Sequence, residues 1–279
     1  MNPILILGAK GTLGSQLCKL YPDAAGWDRD DVDVTGFESL RERVRGLGFA
    51  PGAIVNCVAF NDVDGAEERP EQAYRLNSEL VGNLARFTAE LRIPLVHYST
   101  NYVFDGAAGE YAENAAPSPL SVYGCSKLAG ETEAARHGSQ YYVLRTAVIF
   151  GPKGASDLSK KSFIDIMLDL AEKKDTLQVV SDEINSVTYA PDIAAATRHV
   201  LATLPDPGIY HATNSGGASW YDLALETFRL RGKSVNVVPV PSTHFPRKAL
   251  RPPKAILLNT RLPAMRQWQD ALAEFLRSR

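Results

Sequence analysis

Ile4-Leu5-Ile6-Leu7-Gly8-Ala9-Lys10-Gly11-Thr12-Leu13-Gly14 lies at the start of the chain, and its reading decides the fold. A short continuous apolar run ending in glycine suits a central parallel strand, buried on both faces. Leu13, Leu17 and Leu20 then recur at helical spacing. Between strand and helix, glycines let the backbone turn tightly and approach a pyrophosphate, whose charge is favoured at the helix N-terminus. The spacing is G-x-x-G-x-x-G, not the tighter G-x-G-x-x-G of many dehydrogenases. In this strand–turn–helix setting, Gly8, Lys10, Gly11, Thr12, Leu13 and Gly14 are the expected cradle of a dinucleotide.

Working outward, the same alternation continues. Ala53 to Val58 reads as a second buried strand. Leu76, Leu80, Leu84, Phe87 and Leu91 form a helical stripe, and Pro94 to Tyr98 reads as another strand. A helix carrying Tyr123 and Lys127 comes next, then an apolar run from Tyr142 to Phe150. Strand, helix, strand, repeated, predicts an α/β protein: a Rossmann-type doubly wound parallel sheet over residues 1–150. After Gly151-Pro152 the texture changes. A polar stretch from Lys153 to Lys161 leads to a helix with Phe163, Met167 and Leu170, and shorter elements separated by Pro and Gly follow. Residues 151–279 are expected to form mainly a smaller substrate-binding region, part of it free to return to the Rossmann domain. Trp220 and Tyr221 are expected to pack that region.

The 279 residues suffice for one large domain or two intimate ones. A net charge of −2 gives no electrostatic argument for nucleic acid or an anionic membrane. No apolar run reaches the ~18 residues of a spanning helix. The N-terminus lacks the basic region of a signal peptide. Cys18, Cys57 and Cys125 are odd in number and far apart, which suits buried free thiols in a reducing cytoplasm. Neither they nor the five histidines show metal-ligand spacing, so no metal is expected.

The chemistry concentrates in Tyr123-Gly-Cys-Ser-Lys127. Tyr and Lys four apart share one helix face. Thr100 closes a strand at its C-terminal end, the edge where doubly wound sheets bind ligands. A free tyrosine has a pKa of ~10. A nearby Lys127 and an oxidised nicotinamide would favour phenolate and lower it. Tyr123 is then the expected general acid in reduction, with Thr100 bonding the substrate oxygen as charge develops. Asp28 lies where an acid can take the adenosine ribose hydroxyls and favour NAD. Arg29, with Lys10, could instead receive the 2′-phosphate of NADP, or the whole Asp28–Asp31 run could be a solvated turn. Asp33 and Val34 could border the adenine. The cofactor is therefore expected to be NADP(H) or NAD(H).

With these motifs the chain resembles an extended short-chain dehydrogenase/reductase, and within that group it is most similar to the dTDP-4-dehydrorhamnose reductase family. The likeness is carried by Gly8 to Gly14, Val55 to Phe60, Val63 to Glu67, Asn77, His97 to Gly106, Val122 to Glu131, Leu144 to Thr146, and Trp220 to Asp222. The resemblance implies Tyr123 and Lys127 as the catalytic couple with Thr100 as hydroxyl partner. It implies cofactor contacts from the glycine loop, Val58, Ala59, Phe60 and Ser99, and Asn77 is counted with them. Thr100, Asn101, Tyr102, Arg145, Asn185 and Arg251 are the expected substrate residues. The implied reaction reduces the 4-keto group of a nucleoside-diphosphate deoxysugar. A non-catalytic NAD(P)-binding regulatory protein and a sugar-nucleotide epimerase are the alternatives, and monomer and homodimer are both open.

The departures from the family pattern cluster where sugar or nucleotide contacts are expected. Asn101 stands in place of the acid of Ser-Thr-Asp-Tyr. Asp182-Glu183-Ile184-Asn185-Ser186-Val187-Thr188 lacks the Gln, Gly and Pro of Asp-Gln-x-Gly-x-Pro-Thr. Val148 takes the place of a Trp, and Arg251-Pro252-Pro253-Lys254-Ala255 lacks a Ser. The first helix has Ser15-Gln16 where some relatives carry an acid that bridges dimers through magnesium. Arg247, Lys248, Arg251 and Lys254 form a basic segment that could clasp a pyrophosphate.

Overall fold

The computed structural model describes residues 2–156, 159 and 161–279. Residues 157, 158 and 160 of the polar stretch 153–161 lie outside the described residues. Six parallel strands form the main sheet: β1 (Leu5–Leu7), β2 (Ala25–Trp27), β3 (Ile54–Asn56), β4 (Leu95–Thr100), β5 (Tyr141–Thr146) and β6 (Gly208–His211). Their spatial order is β2-β1-β3-β4-β5-β6. The chain crosses from one side of β1 to the other between β2 and β3, so the strand order reverses there and leaves a crevice beyond their C-terminal ends. β6 comes from the second half of the chain, so that half returns to complete the sheet.

The opening run is apolar throughout because successive side chains of a strand point to opposite faces. Ile4 and Ile6 meet Leu13 and Leu17 of α1 (Thr12–Leu20), together with Val55, Val96, Leu144 and Ile193. Leu5 and Leu7 face the other layer, among Leu40, Ile54, Leu95 and the stripe Leu80, Leu84 and Phe87. That stripe belongs to α2 (Leu80–Leu91), which continues from a short helix, Pro70–Tyr74, through a π turn, Arg75–Glu79. The Tyr123 helix is α3 (Val122–His137), and it packs on α2 and on the π turn.

Two strand boundaries differ from the sequence reading. β3 stops at Asn56, which leaves Cys57 and Val58 in the following loop. The run from Tyr142 to Phe150 is two strands, not one. β5 ends at Thr146, and Ile149–Phe150 pairs with Thr188–Tyr189 outside the main sheet. Val148 sits between them with φ of 38°, a left-handed value that β-branched residues rarely adopt. The chain leaves the sheet at that turn. The cysteines are free but only partly buried. This corrects the buried setting expected for them: Cys57 lies past the strand end and Cys125 in the first turn of α3.

A second sheet of four strands holds Gly217–Ser219, Ile184–Ser186, Lys254–Leu257 and Gly109–Tyr111 in that order. Its neighbouring helices bury Ile164, Leu223, Leu272 and Phe275 around Phe150 and Tyr189. Trp220 packs against Phe163 at 4.8 Å between ring centroids, as its reading predicts. Among the described residues no helix is long and apolar enough to cross a membrane.

The glycine loop shows how closely this framework is built. Gly8 has φ of 76°, and a Cβ on Gly14 would lie 2.1 Å from the Gly8 carbonyl oxygen. Only a residue without a side chain lets α1 start this near the strand it follows. Gly14→Ala should therefore cost about 1–3 kcal/mol, as overpacking does, read as a lower urea midpoint with an unchanged slope.

Candidate active site

The first turn of α1 begins at Thr12, and its N-cap, Gly11, offers no side-chain acceptor. The leading N–H groups of this helix stay available to an anion, as a pyrophosphate site requires. Asp28, just past β2, accepts hydrogen bonds from the Lys10 N–H (2.9 Å) and the Arg29 N–H (2.9 Å). Its carboxylate thus ties the glycine loop to the end of β2. The Lys10 ammonium pairs with Asp30 at 2.8 Å on the surface, while Arg29 is exposed. Asp33 accepts from the Thr35 N–H and hydroxyl (2.9 and 2.7 Å), which hold its carboxyl below the usual range, and Val34 packs against the core.

Sequence reasoning misses a contact to this loop. The Ser156 N–H donates to the Lys10 carbonyl (2.9 Å), and Ser159 Oγ lies 3.3 Å from Thr12 Oγ1. The stretch after Phe150 therefore returns to the glycine loop. Its composition shows polarity and nothing of where it lands.

The loop after β3 carries Val58, Ala59 and Phe60. The Val58 N–H donates to Asn56 Oδ1 (3.0 Å). The Phe60 N–H donates to Asn77 Oδ1 (2.9 Å), and Asn77 Nδ2 donates back to the Phe60 carbonyl (3.0 Å) and to Ser126 Oγ (2.9 Å). Asn77 is wholly buried. Its amide is committed to Phe60 and to α3, and it shapes the loop from behind.

Tyr123 reaches Thr100 because α3 comes unusually close to the end of β4. A Cβ on Gly124 would lie 2.3 Å from the Tyr102 carbonyl oxygen. Ser121 caps the helix by accepting from the Gly124 N–H (3.2 Å), and Glu67 accepts from the Val122 N–H (2.9 Å). Thr100 begins the next turn, its Oγ1 accepting from the Tyr102 N–H (3.2 Å). The rings of Tyr102 and Tyr123 meet edge to face at 6.0 Å.

Burial pushes the Tyr123 phenol up to about 12, against a hydrogen bond with Thr100 that acts the other way. Lys127 is also buried, and loss of hydration brings its ammonium down to about 8. Its Nζ donates to the Tyr98 carbonyl (2.5 Å) and lies 3.2 Å from His97 Nε2. Lys127 is not among the groups that shift Tyr123 in this geometry. The lysine nitrogen is turned toward β4, and desolvation governs the phenol.

Several expected binding residues are held elsewhere. Ser99 Oγ donates to Glu131 Oε1 (2.5 Å), so its hydroxyl proton is committed inside the protein. Arg145 is buried: Nε and Nη2 donate to the two oxygens of Glu131 (2.8 and 2.6 Å), and the guanidinium lies over Phe104. Asn101 and Asn185 are buried as well, and Asn101 Nδ2 donates to Asn185 Oδ1 (2.7 Å) and to the Ala255 carbonyl (3.1 Å). Two departures from the family motif therefore meet each other, joining the end of β4 to the second sheet.

The basic segment is also mostly committed. Arg247 pairs with Glu183 and Lys248 with Glu68. Arg251 Nη2 donates to Asp64 Oδ2 (2.7 Å), and its Nη1 to Oδ1 (3.1 Å). That guanidinium holds the Asp64 carboxyl down at about 2. The segment straps the C-terminal half to residues 64–68. Arg251 still acts on the Tyr102 hydroxyl at the cleft. Among the described residues no group of His, Cys, Asp and Glu comes together that could hold a metal.

Sheet, loop and Tyr–Lys helix define a Rossmann-type nucleotide-binding fold of the extended short-chain dehydrogenase/reductase kind. A family model described as "RmlD substrate binding domain" matches residues 1–279, and the chain belongs to that family. It is 36% identical to a dTDP-4-dehydrorhamnose reductase of Streptomyces griseus, over 97% of this chain and 91% of the relative. It is 34% identical to a dTDP-4-keto-6-deoxy-D-glucose reductase of Streptomyces niveus, over 97% and 95%. The crystal structure of a dTDP-4-dehydrorhamnose reductase from Bacillus anthracis, in complex with NADP, superposes with a TM-score of 0.93 at 30% identity over the whole of both chains.

The depressed lysine has a consequence for stability. Its folded pKa of about 8 lies below the ordinary 10.5, so between these values the unfolded chain binds more protons and stability rises with pH. The full rise is up to about 3 kcal/mol for a shift of this size. Lys127→Met should abolish this rise. Urea unfolding of both proteins from pH 7.5 to 10.5, a range of about three units around that titration, checks it. A parallel pH dependence in the two would refute the assignment.

Proposed function

We propose that the protein is an NAD(P)H-dependent reductase of the 4-keto group of a nucleoside-diphosphate deoxysugar. The observation that carries the reading is the meeting of Tyr123 and Thr100 at the C-terminal end of β4, with Lys127 one turn further along the same helix. The Streptomyces relatives are named as ketoreductases of dTDP-deoxysugars, and the Bacillus anthracis structure contains NADP, which supports both halves of the assignment.

The chain's residues fit a dinucleotide. The uncapped start of α1 receives its pyrophosphate, Asp28 and Arg29 stand at the adenosine ribose, and Val58 to Phe60 line its path toward Lys127. When bound, the reduced cofactor supplies the hydride. Tyr123, kept protonated by its buried setting, donates its proton to the carbonyl oxygen. Thr100 donates a hydrogen bond to the same oxygen and steadies the developing charge. Lys127 holds the nicotinamide ribose and, once protonated, stabilises the phenolate that Tyr123 leaves behind. Arg251, pinned by Asp64 beside Tyr102, brings positive charge to the cleft for the substrate diphosphate. A cytoplasmic location belongs to the same reading; three unbonded cysteines suit a reducing compartment.

Tyr123→Phe deletes one hydroxyl without altering the ring. It should lower kcat by about 100-fold or more while leaving NADPH affinity within about twofold. Oxidation of NADPH and NADH would be followed spectroscopically with a panel of nucleoside-diphosphate-4-keto-6-deoxysugars. Turnover of one sugar by the wild type alone supports the assignment. Full activity of the variant rules out Tyr123 as proton donor, and cofactor binding without turnover across the panel counts against the reductase.

A further inference from the structure

His97 lies in the middle of β4, 1% exposed, between Lys127 and Asn56 of β3. Four groups form an unbroken buried chain. The Val58 N–H meets Asn56 Oδ1 at 3.0 Å, Asn56 Nδ2 meets His97 Nδ1 at 3.2 Å, and His97 Nε2 meets Lys127 Nζ at 3.2 Å.

The proton positions in this chain follow from its ends. A backbone N–H can only donate, so the Asn56 atom facing Val58 is the oxygen, and the amide nitrogen faces His97. That nitrogen is also only a donor, so His97 Nδ1 accepts. The imidazole is neutral here, because burial and the adjacent Lys127 both oppose its charge and outweigh a hydrogen bond with the Asn56 backbone that favours it. A neutral imidazole that accepts at Nδ1 carries its proton on Nε2. Nε2–H therefore points at the lysine nitrogen, and only an amine has the lone pair to receive it. An ammonium at Lys127 sets donor against donor. Exchanging the histidine tautomer moves that conflict to Asn56, and turning the Asn56 amide moves it to Val58. With Lys127 charged, one of the three links is lost.

We propose that His97 is a positioning residue for Lys127: held by Asn56 with its proton on Nε2, it sets the lysine toward its amine form and couples protonation of that nitrogen to the backbone of the loop that carries Val58, Ala59 and Phe60. The other ionisable neighbours do not supply this bias. Glu131, on the same helix, acts in the opposite sense and is itself paired with Arg145 of β5 at 2.6 Å. Tyr123 is a neutral phenol, and Ser126 and Asn77, from the π turn, are uncharged. In the reductase, a lysine that must be charged to support the Tyr123 phenolate takes up that charge only as the loop at Val58 rearranges its hydrogen bonds. The loop and the couple would therefore change state together. This role in the reaction rests on the reductase reading; the proton inventory does not.

The test reads the inventory directly, without turnover. Protein labelled with nitrogen-15 in histidine and carbon-13 at lysine Cε would be titrated by NMR, with His97 and Lys127 assigned from His97→Gln and Lys127→Arg. In the wild type, the His97 shifts should show the proton on Nε2. In His97→Gln, whose side-chain oxygen can accept from an ammonium, the Lys127 midpoint should rise by about one unit or more. Asn56→Asp, a second variant, demands a donor at His97 Nδ1 and should reverse the tautomer while leaving the histidine in place. A wild-type proton on Nδ1, or a Lys127 midpoint unchanged in His97→Gln, would overturn the proposal. So would a kcat/KM–pH profile that stays fixed while the midpoint moves. Failure of the whole sugar panel would remove the reductase reading and leave the tautomer and the midpoint to be judged on their own.

Discussion

The helix that carries Tyr123 and Lys127 is held to the sheet by a buried ion pair. Glu131 on α3 receives Arg145 of β5 through two parallel hydrogen bonds and Ser99 of β4 through a third. Both charged side chains are 2% exposed. A carboxylate and a guanidinium taken out of water repay that cost only when geometry and additional hydrogen bonds are good, and here Phe104 also covers the guanidinium. The anchor lies one helical turn from Lys127 and about two from Tyr123. It therefore sets the height of the whole Tyr–Lys face above the strand ends. Losing one partner would leave an unpaired buried charge, so the pair works as an all-or-none clamp.

Around that clamp the site is assembled by close approach rather than by long side chains. Gly124 lets the first turn of α3 meet Tyr102, and Gly14 lets α1 start against the loop it caps. Asn77 occupies a π turn, a departure from helical winding often found near functional sites. From there it serves Phe60 and Ser126 at once, so the loop after β3 and α3 share one buried amide. The second half of the chain is bound in by polar contacts. Asn101 meets Asn185 behind Thr100, and Asp64, Glu68 and Glu183 each take a cation from the segment 247–251.

Local signals explain which parts are legible in the sequence. The glycine loop, the apolar strand runs and the Tyr123–Lys127 spacing depend on residues within one or two turns of each other, and periodicity reports such neighbours directly. Arg145 illustrates the other case. In sequence it is a cation within an apolar strand run, as ready to meet a substrate as a carboxylate. Its partner sits on a helix whose rotation about its own axis no local pattern reveals. The same holds for the basic segment, whose carboxylates come from residues 64, 68 and 183, and for Val148, where an apolar run that reads as one strand breaks because the chain must change sheets.

By itself the sequence determined the fold class and the order of strands and helices in the first half, because each rests on short-range spacing and on the need to bury apolar faces. The tertiary structure alone decided which polar groups face the cleft and which face each other. Ser99, Asn77, Asn101 and Arg145 are spent inside the protein, and Lys127 is turned toward His97 and the Tyr98 carbonyl. The reason is physical: a buried polar group must find its partner wherever packing brings one, and the distance along the chain to that partner is set by the fold, not by the residue.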